Sequence, residues 1–495
     1  MANLASGHFE MTSSLNFHNW PNTGSVISAK AGIQSGSRQH LTPEDKMDKI
    51  TEYLSSYATS LKFSDLPKEV VEKTKRVILD TLGCALGGYT SVPSKIARSM
   101  AEVTCARPAT VIGSGQKTTP DLAAFANGVM IRYLDFNDIV HSKRGGGHHS
   151  DDIAAVLSPV EAVHGSGKDA ITATALAYEV NCAFPEQIDI RAGGWDASVF
   201  GVIACGVAAA KGFGLSKEEI AQTVNLSVAP NMGLFQARIG AVSHWKGAAM
   251  ANAARNAVFA AMLAAKGMTG PDPIFEGRGG LFNAATGPFE LDPFGGEGRP
   301  YAILRATLKH FPLGSVAQTA VEAALRIRPK LASFDDIQEI HVETCSPIMS
   351  GDADKWDPQT REAADHSMPY SVVAALRYGP VQVLHYLPEY FRDPKNLELM
   401  QRVTVEVTEE GRKSRPDGSL NVVEVVTKSG ARYKEREAYH KGHPNNPMTD
   451  EELEGKFRSM ARELLSDRQI SQVLERLWNL EQVDDIGEVL ELLTV

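Results

Sequence analysis

The chain has 495 residues, enough for two domains, and its 43% hydrophobic and 22% charged residues are the balance of an ordinary globular protein. A formal net charge of −10 excludes a binder of phosphate backbones, which needs a basic face. No apolar run approaches the roughly 20 residues of a membrane span, so neither nucleic acid nor membrane is an expected partner.

Residues 1–45 lack sustained periodicity and are rich in Ser, Gly, Asn and His. They share few acids with a mitochondrial presequence but have very few Arg or Lys, and they read as a disordered extension. Order is expected from Met47. From there the pattern is helical. Val70, Thr74, Val77, Leu82 and Ala85 recur at helical spacing, with Asp65 and Pro67 placed as cap and first-turn proline and Gly87-Gly88 as a stop. Further Ala-rich helices are predicted over 152–164, 168–184, 198–212, 217–228 and 246–266. Their small residues allow close helix contacts.

The texture changes after Pro312. Residues 340–344 and 403–407 alternate as strands do, and 421–427, the turn Ser429-Gly430 and 431–437 read as a hairpin, with helices at 316–327 and 370–377. Beyond Pro447 the helical pattern returns, with Thr449 capping Glu451 to Leu465. The expected organisation is an extension (1–45), a helical domain (46–304), a smaller α+β lid domain (305–438) and a return to the helical domain (439–495). The fold class is therefore mostly α, with a large all-helical domain built from both chain ends.

Five cysteines, Cys84, Cys105, Cys182, Cys205 and Cys345, are too scattered for a zinc or iron–sulfur site. They read as small core residues in a reducing compartment, so the expected location is cytoplasmic, or mitochondrial in a eukaryote.

The stretch from Tyr133 to Asp152 packs acids, bases and three consecutive glycines between helices. Asp135 beside His148 would form an acid/base pair with separated pKa values, as elimination chemistry needs, unless these residues and Ser150 merely cap helices. His148 and His149 next to Asp151 and Asp152 invite a metal reading, but adjacent histidines point apart and no HxxxH or ExxH spacing is present, so no metal is expected. Arg238, His244 and Lys246 gather at a helix start, as an anion site or equally as an ordinary solvated basic loop. Lys309 marks the domain junction, where it would reach an interdomain cleft. Asp365, His366 and Tyr370 precede or open a helix, as site residues or as caps and packing.

Seven stretches in order resemble the MmgE/PrpD family: YLDFND (133–138), GGGHHSDD (145–152), GWDASVFG (194–201), WKGAAMANAARN (245–256), MTGPDPIFEGRGG (268–280), KWDPQTREAADHSMPY (355–370) and KGHPNNPMTDEELEGKF (441–457). The family includes 2-methylcitrate dehydratases, cis-aconitate decarboxylases and an iminodisuccinate epimerase, and the last two stretches resemble the dehydratases more. The resemblance implies a homodimer with its site between a helical domain and an α+β lid, needing no metal or organic cofactor. It also implies that Asp135 and His148 are the active-site acid and histidine, and that Lys246 and Lys309 bind substrate carboxylates. The chain departs from the family pattern at Ile139, where a hydroxyl residue is usual, at Ala197, where histidine is usual, and in LGSVAQTA (313–320), which lacks a histidine.

The expected reaction is elimination of water from a small hydroxy-tricarboxylate such as 2-methylcitrate. Lys246, Lys309, Arg238 and His149 would bind substrate, His148 and Asp135 would move protons, and His366 and Tyr370 would act as acid or orienting groups. The departures keep alternatives open: cis-aconitate decarboxylation, epimerisation, a longer 2-alkylcitrate fitting the room at Ala197, or a retired, catalytically silent member of the family.

Overall fold

The computed structural model describes residues 48–100, 108–239 and 243–495; the expected extension (1–45) and Cys105 lie outside these residues. The protein is mostly α-helical with small sheets. Most predicted helices appear near their expected limits, as Ile153–Ala162, Gly167–Gln187, Ser198–Gly212, Lys217–Val228, Trp245–Ala264 and Asp450–Ala461. Ser198–Gly212 is apolar all round and buried almost throughout, as a central helix must be. Thr449 caps its helix reciprocally with Glu452.

One local expectation is corrected. The helix runs Lys68–Gly88 and stops at the glycine pair, as expected. The pair also lets it approach the helix Pro120–Tyr133, because a Cβ on Gly88 would sit 2.2 Å from the Met130 carbonyl oxygen. Asp65 is not that helix's cap. It lies in the preceding 3-10 turn and accepts from the Lys62 amide.

The helical half also contains two short hairpins, Ala109–Val111 with Gln116–Thr118 and Val140–Ser142 with Gly145–Gly147. The second absorbs the triple glycine as a strand, and the Gly146 carbonyl accepts from Arg191. Gly146 has no room for a side chain, since a Cβ would meet the Val140 carbonyl oxygen at 2.5 Å. Ser150 is not a helix cap; its hydroxyl accepts from Asn137 Nδ2.

Buried apolar side chains form two main clusters. One draws on residues 50–308 and again on 448–493, so both ends of the described chain build it. The other runs from Phe311 to Val425. It packs the helices Gln318–Ile327 and Met368–Tyr378 with a four-stranded sheet in the order Val403–Val407, Ile337–Thr344, Asn421–Thr427, Arg432–Glu437. The first pair is parallel and the others antiparallel. The predicted hairpin is the antiparallel pair at one edge, and Gly430, at φ +84°, makes its turn. Only two residues separate Leu308 in the first cluster from Phe311 in the second, which fixes Lys309 at the seam.

Candidate active site

The helix Pro120–Tyr133 delivers the central residue. Leu134 ends the helical run and Asp135 comes next with φ +50°, in the left-handed region that closes many helices and that aspartate tolerates better than most residues. Its amide bonds the Arg132 carbonyl at 3.2 Å. Side chains just beyond the turn tie it to the neighbouring elements: Asp138 accepts from the Ser150 amide and the Tyr178 hydroxyl, and Asn137 donates to Ser150 and Asp151. A two-way backbone pairing of Ile139 with Thr307 brings in the segment that carries Lys309. Lys456, from the C-terminal helix Asp450–Ala461, donates to the carbonyls of both Phe136 and Lys309 at 2.8 Å.

Around Asp135 the structure gathers four of the sequence-derived candidates. Oδ1 accepts from Lys309 Nζ at 2.5 Å and lies 3.7 Å from His148 Nε2. Oδ2 faces His366 Nδ1 at 3.2 Å and Lys246 Nζ at 3.5 Å. Arg132, which sequence reasoning overlooked, holds Oδ1 at 2.7 Å. Its only signal was its place one turn before Asp135, where a basic residue in a last helical turn is commonplace. Asp365 completes the cluster: Lys246 Nζ lies 2.8 Å from both Asp365 Oδ1 and His366 Nδ1. Arg361 ties this segment down by donating to the Tyr133 carbonyl and approaching Asp365 at 3.4 Å.

The electrostatics come from burial and these neighbours. Burial alone would raise Asp135, but Arg132, Lys309, Lys246 and His366 together hold it well below the usual carboxylate range. These cations favour its ionised form. Lys309 is pushed down to about 8 by burial, against the attraction of Asp135. His148 is held well below its ordinary value by burial, with Arg132 and Lys309 adding to the effect. Its Nδ1 lies 2.6 Å from the Asp138 carbonyl oxygen, which can only accept, so Nδ1 carries the proton and Nε2 keeps a free lone pair. His366 is lowered by burial and by Lys246.

These groups line one cavity of about 540 Å³ at the seam of the two cores. Eight Lys and Arg side chains line it against five Asp and Glu, a positive surplus in an acidic protein. Arg238 and His149 line it too. Arg238 is engaged in a two-point bond to Asp196 and donates to the Lys246 carbonyl, so it orients Lys246 as well as adding charge. His149 is buried against Tyr178 with its Nε2 unpartnered, and burial lowers it to about 3. Tyr370 is not brought to the cavity. It packs in the second apolar cluster and its hydroxyl donates to the His385 carbonyl. His244 lies outside the lining as well. Arg144, Arg191, Lys355 and Arg415 join the wall from loops whose approach no local pattern announces.

Asp135, Asp365 and His366 bring three donor atoms within 4.8 Å of one another, the spacing of a metal site. The Lys246 ammonium already stands among them, within 2.8 Å of two and 3.5 Å of the third. A metal would have to displace that charge, so the donor set fits an ammonium better. What the arrangement offers is a clamp for carboxylates beside a neutral imidazole.

The chain is similar to known proteins over most of its length. The chain is 27% identical over 469 residues to the cis-aconitate decarboxylase of Homo sapiens, covering 90% of this chain and 94% of that protein. It is 25% identical to the cis-aconitate decarboxylase of Aspergillus terreus, over 90% of this chain and 96% of that one. The 2-methylcitrate dehydratase of Cupriavidus necator is 27% identical over 397 residues, which is 74% of this chain and 78% of that protein. The model of the MmgE/PrpD N-terminal domain matches residues 52–293 and that of the C-terminal domain matches residues 311–480. The chain belongs to the MmgE/PrpD family.

Proposed function

We propose that the protein is a cofactor-independent lyase that eliminates water from a small hydroxy-tricarboxylate of the 2-methylcitrate type. The observation that carries this is the cluster itself. Arg132, Lys246, Lys309 and Arg361 surround two carboxylates, Asp135 and Asp365, beside a neutral His148 whose Nε2 is free. A surplus of positive charge in a dehydrated wall binds carboxylates and stabilises charge building next to a breaking C–H bond.

In this reading His148 Nε2 takes the proton α to a carboxylate. The C–O bond breaks as the double bond forms, and His366 supplies the proton with which the hydroxyl leaves as water. A polyanion bound beside both imidazoles raises their affinity for protons, so a base held low in the free protein becomes effective with substrate in place. Asp135 keeps Lys246 and Lys309 in position. The protein acts as a homodimer, as the family resemblance implies, in the cytoplasm or in the mitochondrion of a eukaryote, as its scattered cysteines suggest.

A second reading, cis-aconitate decarboxylation, is favoured by one observation: relatives of that name match 90% of this chain, against 74% for a dehydratase at the same identity. The test uses chelator-treated protein with 2-methylcitrate, citrate and cis-aconitate, monitoring absorbance of the conjugated double bond and product mass. Water loss from 2-methylcitrate, reduced roughly 10²–10⁴-fold in His148→Ala, is expected. Carbon dioxide loss from cis-aconitate instead would establish the second reading, and full activity in His148→Ala would remove His148 from either.

A further inference from the structure

The charged cluster occupies only part of its cavity, and one stretch of the remaining wall is apolar. The two parts meet on one helix. Lys246 and Met250 are four residues apart on Trp245–Ala264, so they lie on one face about 6 Å apart along the axis, and both line the cavity. Opposite Met250 stands the start of the helix Ser198–Gly212, where Ala197 lines the cavity and Gly201, one turn on, lies against Met250. A Cβ on Gly201 would come within 2.3 Å of Met250 Cε, so the thioether is seated directly on that glycine. Phe200, between them, lines the same wall and is fixed by stacking on Phe184 at 4.8 Å. Ile188 and Ile190 close the end.

We infer that this wall is a subsite for an aliphatic substituent longer than methyl, carried by the same polycarboxylate whose acid groups the lysines hold. Three observations favour a built pocket over ordinary core. The wall is continuous with the anion clamp and begins one helical turn from it. The small side chain of Ala197 leaves space in the lining, and the absence of one at Gly201 lets Met250 lie back from that space. The cavity's 540 Å³ lies in the range of roughly 300–1,000 Å³ that holds ligands much larger than a bare tricarboxylate. A flexible thioether flanked by fixed aromatic and branched side chains adapts to an alkyl chain without offering it a polar partner.

This inference rests on the proposed reading for the head group, and binding separates the two. The experiment measures Kd by calorimetry, and turnover in parallel, for racemic 2-methyl-, 2-ethyl-, 2-butyl- and 2-hexylcitrate. Affinity is expected to rise about fourfold per methylene up to the butyl compound, the factor for burying one CH₂. In Ala197→Phe the order is expected to reverse, with the longest chains losing most. Rising affinity without water loss would keep the subsite and sink the dehydratase reading. Affinity flat or falling with chain length in the unsubstituted protein would overturn the subsite whatever the turnover.

Discussion

Asp135 has three cationic groups within 3.5 Å, and its role is set by that company rather than by its own acidity. Asp151, on the same cavity wall, is the opposite case. Burial raises it to about 7, with Arg132 the main opposing influence. Its folded pKa lies above the unfolded value of about 3.9, so the folded protein keeps a proton that the unfolded chain has lost. That contribution is present at low pH and disappears as the pH rises through 7. Asp151→Asn preserves the shape and an acceptor for Asn137. The variant's stability relative to the parent is therefore expected to improve between pH 5 and pH 8, by about 2 kcal/mol. Thermal denaturation at both pH values checks this, and an equal difference at the two would show that Asp151 ionises normally. Sequence reasoning named Asp135, His148, Lys246, Lys309 and His366 because polar residues crowd there against glycine and helix ends. It also offered Tyr370, since adjacency to His366 in sequence cannot reveal that a helix turns the ring into the second apolar cluster.

At the scale of elements, what was legible was periodic and what was missed was not. The hairpin over 421–437 alternates and carries its turn glycine, and the long Ala-rich helices declare themselves by length. Pro120–Tyr133, which presents Asp135, is buried on nearly every side and so lacks a polar stripe that would mark it as amphipathic. The strands of the two small hairpins have three residues each, too short for a period to register. Gly88 illustrates the competing demands. Helix propensity favours alanine by roughly 1 kcal/mol, but contact with Met130 wins because the obstacle is backbone. Gly88→Ala is expected to lose about 1–3 kcal/mol, as overpacked sites do, and to weaken turnover further by displacing the helix that ends at Asp135. A melting temperature equal to or above the parent's would show that the two helices yield freely.

Across the whole molecule, an acidic surface encloses a cationic cavity assembled from both cores. Lys456 is buried, pairs with Asp80 at 2.5 Å and donates to the carbonyls of Phe136 and of Lys309 at the seam. Lys456→Met would strand a buried carboxylate and two carbonyls, with an expected loss of about 3–5 kcal/mol. Adding Asp80→Asn should restore part of the stability, because the stranded charge is gone, but not the activity, because the carbonyls of Phe136 and Lys309 remain unheld. Melting curves and turnover of the single and double variants separate the two effects, and full activity in Lys456→Met would show that the seam holds without this lysine.

The ammonium of Lys456 also sets an order of events. During synthesis the loops that carry Asp135 and Lys309 emerge long before the residue that fastens them, and the first apolar core stays open until the helices after Thr449 arrive to close it. A ribosome-bound chain stopped short of that point would be inactive and would show unclosed apolar surface to chaperones. Contacts spanning so much sequence also make final closure slow compared with local helix formation. Turnover by this protein would therefore report that translation had passed residue 456, and a stall-release experiment should find activity appearing late and abruptly rather than in proportion to chain length.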